Sequence, residues 1–188
     1  MADPDRRYSA SLYWVGHIGT LAVVIITFAS LVVLYLTRSI MDKAWKPVAI
    51  PPQLLLSTLM LAGASISIEL ARWQLRRGNV DGYSSWLIRT GVTGLAFVIT
   101  QLLCWRIMLA EPSGTLNTSR GMFYVLTGAH AIHVACGLFA LAYLIWGIWN
   151  PWQDRHSIRR SSITFMLATY WHTMFIIWLV LYGLLAAN

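Results

Sequence analysis

The fold of this chain is decided by residues 121–149, which contain the sequence Tyr124-Val-Leu-Thr-Gly-Ala-His-Ala-Ile-His-Val-Ala-Cys-Gly-Leu138. The run has no charged side chain and is bounded by Arg120 on one side and by an Asn-Pro pair on the other. It is too long for a core helix of so small a chain, and it predicts a membrane-spanning helix. His130 and His133 lie in its middle, where polar side chains are costly and usually serve a purpose.

The composition also indicates a membrane protein. Of the 188 residues, 57% are apolar and only 11% are charged, which is far from the balance of a soluble domain. Ten tryptophans and eight tyrosines fit aromatic belts at two membrane interfaces. The net charge is +7, but the basic residues stand at the ends of apolar runs, so they predict membrane topology and not a nucleic-acid surface. Cys104 and Cys136 lie inside apolar runs, and no disulfide framework or cysteine metal motif is expected.

Five apolar runs are long enough to span a bilayer, and they cover residues 12–37, 54–73, 87–109, 121–149 and 163–187. We therefore predict an all-α, polytopic membrane protein whose 188 residues form one integral domain, a bundle of five transmembrane helices. No separate soluble domain and no internal repeat is expected.

Local signals refine two of these runs. Pro51 and Pro52 predict the start of the second helix, because proline is tolerated in a first turn. Within that helix Gly63, Ser67 and Ala71 recur every four positions, which favours a close helix–helix approach in lipid. The pairs Gly-Asn and Asp-Gly in residues 78–82 predict a tight turn before the third helix.

The distribution of arginine and lysine predicts the orientation. With five spans, the N-terminus shares a side with the second-to-third and fourth-to-fifth connections. That side carries nine basic residues: Arg6, Arg7, Arg72, Arg76, Arg77, Arg89, Arg155, Arg159 and Arg160. The other side carries five: Arg38, Lys43, Lys46, Arg106 and Arg120. The excess predicts a cytoplasmic N-terminus.

The intramembrane histidines admit two interpretations. His130 or His133 could face His172 of the fifth run and hold a haem or metal. Alternatively, these imidazoles are neutral and fix the packing of neighbouring helices. The second interpretation is favoured, because two ligands three residues apart on one helix do not complete a coordination sphere. No residue pattern indicates a catalytic centre.

The second run ends in a charged segment, whose residues also admit a functional and a purely structural interpretation. Glu69 could handle protons or contact a partner, but an interfacial ion pair with Arg72, three residues on, is favoured. The favoured interpretation takes Glu69 to lie in the last turn of its helix. Arg72, Arg76 and Arg77 beside Trp73 could clamp a phospholipid headgroup, or could serve only as cytoplasmic-side charges.

Two motifs make the chain resemble subunit III of the haem–copper terminal oxidases. Residues 123–137 are similar to the family pattern Gly-x-His-x-x-His-Val-x-x-Gly. Residues 170–182 resemble its pattern Tyr-Trp-His-x-x-x-x-x-Trp-x-x-x-Tyr. A third and weaker similarity is the small-residue helix with a charged end at residues 62–79. The number of runs is that of the short, five-helix bacterial form.

The resemblance implies a non-catalytic accessory subunit in a bacterial inner membrane. It would have no cofactor of its own, since haem and copper belong to the catalytic subunit I and to subunit II, on which it packs. It would bind phospholipid and support proton uptake and aerobic electron transport, with either cytochrome c or quinol as the electron donor of the complex. The candidates for structural, interface or lipid contacts are Glu69, Arg72, Trp73, His130, His133, Trp171 and His172.

The chain departs from the family in two acidic positions. It has no glutamate in residues 12–37, and Phe175 stands where the family often has an aspartate. A direct role in proton delivery is therefore not expected from those positions. Two alternatives stay open at this point: an accessory subunit of nitric-oxide reductase, and a membrane cytochrome that binds haem itself.

Overall fold

The computed structural model describes residues 4–43, 45–46, 48, 51–110, 118–149 and 157–187. These residues form five α-helices: α1 Pro4–Met41, α2 Gln53–Arg76, α3 Val80–Ala110, α4 Thr118–Trp149 and α5 Ser157–Ala187. Each described helix contains a segment long and apolar enough to cross a membrane. The predicted all-α architecture with five spanning helices is confirmed.

The helices extend beyond the apolar runs from which they were predicted. α2 continues to Arg76, three residues past the predicted end at 73, and α3 begins at Val80, seven residues before the predicted start at 87. Polar turns at the interface therefore remain helical, because a helix needs no apolar side chains where water and headgroups surround it. Of the basic connection before the fifth helix, residues 151–156 with Arg155 lie outside the described residues, whereas Arg159 and Arg160 lie in the first turn of α5.

The connection between α2 and α3 is shorter than predicted. It consists of residues 77–79, and Gly78 has a φ of 74°, the left-handed conformation that commonly ends a helix. The amide of Asn79 bonds to the carbonyl of Gln74 and closes the turn. The predicted turn at Asp81-Gly82 is wrong, because both residues lie in the first turn of α3. The predicted start of α2 after two prolines is confirmed, with Pro52 as its N-cap.

Helices α2 to α5 form a bundle in which α2 packs on α3 and α5, and α4 packs on α3 and α5. The most extensive contact is between α2 and α3, where a Cβ on Gly63 would lie 3.7 Å from the side chain of Thr93. This close approach agrees with the small-residue spacing of α2. α1 lies outside the bundle and contacts only α4 and α5 among the described helices.

Aromatic side chains fill the centre of the bundle. Trp171, Trp178 and Phe97 are almost fully buried, and the rings of Phe97 and Trp178 meet edge to face with centroids 5.0 Å apart. Gly94 of α3 leaves the space for the indole of Trp171, because a Cβ there would lie only 2.5 Å from its Cη2 atom. By contrast, the outward positions are mostly large and apolar, as at Ile132 and Phe139.

We expect Gly94→Ala to destabilise the bundle by about 1–3 kcal/mol, since the added methyl forces the Trp171 ring to move in a packed core. The measurement is the thermal unfolding midpoint of the purified protein in detergent. Gly91→Ala is the matched control on the same helix: its Cβ would meet only the Leu141 side chain, at 3.6 Å. An equal midpoint for Gly94→Ala and Gly91→Ala would contradict this account of the core.

Candidate functional site

His130 lies in the centre of the protein, enclosed by rings from three other helices. Its side chain is fully buried, and the ring centroids of Phe28, Phe97 and Trp178 lie 5.8, 5.5 and 5.0 Å from that of the imidazole. These rings come from α1, α3 and α5. Neither imidazole nitrogen has a hydrogen-bond partner among the described residues. Here the imidazole acts as a packing element of an aromatic core.

His133 lies one turn further along α4, at the junction with α1. Its Nδ1 lies 2.7 Å from the carbonyl oxygen of Ala129, and its ring meets that of Phe28 at 5.2 Å. The carbonyl of His133 accepts a hydrogen bond from the hydroxyl of Tyr170 on α5. Phe28 therefore contacts both histidines of α4 and joins α1 to the bundle through them.

His172 faces α2 and not the histidines of α4. Its Nδ1 lies 2.6 Å from the hydroxyl of Ser65, and its Nε2 lies 3.5 Å from a carboxylate oxygen of Glu69. The haem alternative requires His130 or His133 to stand across from His172, and the described contacts do not bring them together in this way. Among the described residues, no three His, Cys, Asp or Glu side chains form a group that could hold a metal ion.

Glu69 pairs with two arginines of its own helix. Its Oε2 lies 2.6 Å from Nη1 of Arg72, and its Oε1 lies 3.4 Å from Nη2 of Arg76. The ion pair with Arg72 is the one that the spacing predicts. The predicted place of Glu69 in the last turn of its helix is wrong, however. Because α2 runs to Arg76, Glu69 lies seven residues, or about 10 Å, from the helix end.

The charged end of α2 borders a cleft of about 350 Å³ between the ends of α1, α2 and α5. The guanidinium of Arg72 lies 4.7 Å above the ring of Phe165 in α5, which holds it over the cleft. The lining combines basic, hydroxyl and apolar side chains: Trp14, Arg72, Leu75, Arg76, Ser161, Ser162, Thr164 and Phe165. Cationic and hydroxyl donors beside an aromatic floor suit an anionic headgroup with an apolar tail.

The remaining two candidates lie apart from this cleft. Trp73 is exposed, and the guanidinium of Arg77 stacks 3.5 Å over its ring, so the pair forms a separate interfacial contact. Trp171 is buried in the core, and its indole nitrogen has no hydrogen-bond partner among the described residues. The structure thus gathers Glu69, Arg72 and His172 on one side, and places the other candidates elsewhere.

Several residues of these sites were not predicted. Ser65 bonds to His172, and Phe165 supports Arg72, although both look like ordinary members of apolar helices. Ser65 is one of several serines and threonines in α2, and nothing in the sequence distinguishes it. Only the packing of α2 on α5 shows which hydroxyl meets the imidazole.

Comparison with known proteins decides the family. The family model described as "Cytochrome c oxidase subunit III" matches residues 15–186. The chain belongs to this family. The resemblance seen in the two histidine-containing motifs is thereby confirmed. The chain is an accessory subunit of a terminal oxidase and a multi-pass membrane protein, and the family carries no redox cofactor of its own.

Individual relatives match over most of their length. The "Probable cytochrome c oxidase subunit 3" of Mycobacterium tuberculosis (strain ATCC 25618 / H37Rv) is 27% identical over 176 residues, covering 89% of this chain and 84% of the relative. The "Cytochrome c oxidase subunit 3" of Corynebacterium diphtheriae is 26% identical over 193 residues, covering 97% and 92%. The relative in Synechocystis sp. is 30% identical over 160 residues, covering 82% and 66%.

We expect Ser65→Ala to lower the stability by about 1 kcal/mol, because it leaves Nδ1 of His172 without its hydroxyl partner. Thermal unfolding in detergent measures the effect. Thr173→Val is the matched control beside His172, since the Thr173 hydroxyl bonds only to a carbonyl of its own helix. If the control lowers the midpoint as much as Ser65→Ala does, the contact between α2 and α5 does not stabilise the protein.

Proposed function

We propose that this chain packs on the catalytic subunit I and on subunit II of a bacterial cytochrome c oxidase. The observation that carries the proposal is the family match over residues 15–186, together with relatives that are named subunit 3 of that oxidase. The outer surface supports it, because most outward positions are apolar and suit lipid or a partner helix. In this assignment haem and copper belong to the partner subunits.

The test is purification of the tagged chain from its own membranes, followed by blue-native electrophoresis and mass spectrometry of the partners. We expect a large haem- and copper-containing subunit to comigrate, and the complex to oxidise reduced cytochrome c. The chain expressed alone should show no Soret band. A stoichiometric Soret band in the isolated chain would overturn the assignment, and comigration with a nitric-oxide reductase would select that alternative.

We further propose that the cleft between α1, α2 and α5 binds the headgroup of a phospholipid. Arg72, Arg76 and the hydroxyl of Ser161 offer donors to a phosphate, and Trp14 and Phe165 offer apolar surface to the acyl chains. Because Glu69 pairs with both arginines, the two cations and one carboxylate carry one net positive charge, which suits a single phosphate. The bound lipid would connect the loosely packed α1 to the charged end of α2.

Arg76→Gln should weaken lipid retention by roughly fivefold, since a basic side chain near the headgroups is worth about 1 kcal/mol. Native mass spectrometry of the intact complex counts the lipids that remain at increasing collision energy. Arg89→Gln is the matched control, because Arg89 stacks on Trp86 of α3 and does not border the cleft. Equal lipid loss from both variants would show that the cleft is not the site.

We place the chain in the bacterial inner membrane, and the distribution of its basic residues supports a cytoplasmic N-terminus. Fusing alkaline phosphatase to the C-terminus should give an active enzyme, because five spans place that end outside the cytoplasm. An N-terminal fluorescent-protein fusion should be fluorescent. A C-terminal phosphatase fusion that is inactive at normal abundance would show that the orientation is the opposite one.

In this arrangement the chain supports proton uptake indirectly, by holding the catalytic subunit and a structural lipid in place. Glu69 pairs with Arg72 and Arg76 and lies 3.5 Å from Nε2 of His172. The family positions at which this chain lacks a carboxylate take no part in the proposal.

A further inference from the structure

Polar side chains from four helices lie in one region of the bundle interior, around the buried indole of Trp178. We call this region the polar layer. Its members are Ser57 and Thr58 of α2, Gln101 and Trp105 of α3, Thr127 and His130 of α4, and Trp178 of α5. Buried polar groups of this kind are costly in a membrane protein unless each has a hydrogen-bond partner.

Most groups of the polar layer are satisfied by protein atoms. The hydroxyl of Ser57 donates to the carbonyl of Leu54 at 2.7 Å and accepts from Nε2 of Gln101 at 3.0 Å. The indole of Trp178 donates to the hydroxyl of Thr58 at 2.9 Å. On the other side, the indole of Trp105 donates to the hydroxyl of Thr127 at 3.0 Å.

Three atoms of the layer have no partner among the described residues: Oε1 of Gln101 and both ring nitrogens of His130. Both side chains are fully buried, so bulk water does not reach these atoms. The amide oxygen needs a donor. A neutral imidazole offers one donor and one acceptor, so its two nitrogens need opposite kinds of partner.

Gln101 and His130 flank the same aromatic rings. The ring of Phe97, one helical turn before Gln101 on α3, contacts both His130 and Trp178. The indole of Trp178 contacts both the ring of His130 and the hydroxyl of Thr58. Thr58 is next in the chain to Ser57, which accepts a hydrogen bond from Gln101. Trp105, one turn after Gln101, bonds to Thr127, one turn before His130. Gln101 therefore lies on the stretch of α3, between Phe97 and Trp105, that packs against the stretch of α4 from Thr127 to His130.

We propose that the polar layer is an internal hydration site, in which ordered water links Oε1 of Gln101 to an imidazole nitrogen of His130. Water suits both atoms, because it donates to the amide oxygen and either accepts from or donates to the imidazole. It would satisfy two buried groups that protein atoms leave unbonded. The water would join α3 to α4 at the point where Trp178 joins α5 to α2.

The direct test is a cryo-EM map of the intact oxidase complex at a resolution that shows ordered water. We expect density within hydrogen-bonding distance of Oε1 of Gln101 and of one His130 nitrogen, either as one water or as a short chain. A map with ordered water elsewhere in the complex, but only side-chain carbon around these atoms, would overturn the proposal. A direct bond between Gln101 and His130 in that map would overturn it too.

A double-mutant cycle gives an independent readout with the complex in detergent. Gln101→Leu and His130→Phe each remove one partner of the water, so we expect the double variant to lose less thermal stability than the sum of the single losses. Thr100→Val replaces Gln101→Leu in the control cycle, because the Thr100 hydroxyl bonds only within α3. Additive losses in both cycles would contradict a shared water. If a variant does not assemble, the cryo-EM map of the unaltered complex is the test of the shared water.

Discussion

The interior depends on the indole of Trp178, which bonds and packs with three other helices at once. Its N–H donates to Thr58 of α2, and its ring packs against Phe97 of α3 and His130 of α4. Association of helices in lipid cannot rely on the hydrophobic effect, because the tails are as apolar as the helix surfaces. Close packing and interhelical hydrogen bonds must supply the stability, and one tryptophan supplies both here.

The same constraint explains how the other polar side chains are paired or packed. Ser65, Glu69 and His172 satisfy one another across the contact of α2 with α5, with arginines at the headgroup end. The histidines of α4 have other surroundings. His133 bonds to the carbonyl of Ala129 on its own helix, and His130 is buried among aromatic rings. Imidazoles that look equivalent in the sequence thus have three different environments.

α1 lies to one side of the bundle that the other four helices form. It touches only α4 and α5 among the described helices, and much of its surface is exposed. Its contacts include a hydrogen-bonding contact between His17 and Thr169, and the packing of Trp14 on Phe165 and of Phe28 on the α4 histidines. The absence of a contact with α2 leaves the cleft at the charged end open. A lipid in that cleft and a partner subunit would together cover the surface that α1 and α2 leave unpaired.

The sequence by itself determined the architecture, because the length and hydrophobicity of a membrane span are properties of a local run. Five runs, the proline start of α2 and the pairing of Glu69 with Arg72 all follow from residues near each other in the chain. Two short motifs were enough to indicate the family. Helix ends were less well predicted, since interfacial turns remain helical without an apolar pattern.

Only the tertiary structure decided which helices meet and which polar atoms find partners. The contact of His172 with Ser65 and the packing of the Trp171 indole over Gly94 join residues that are far apart in sequence. Whether the nitrogens of His130 find partners likewise depends on the helices around them. Helical periodicity assigns a side chain to a face of its helix, but it does not say which neighbour that face meets. That choice depends on how the bundle closes, and so on the shapes of all five helices together.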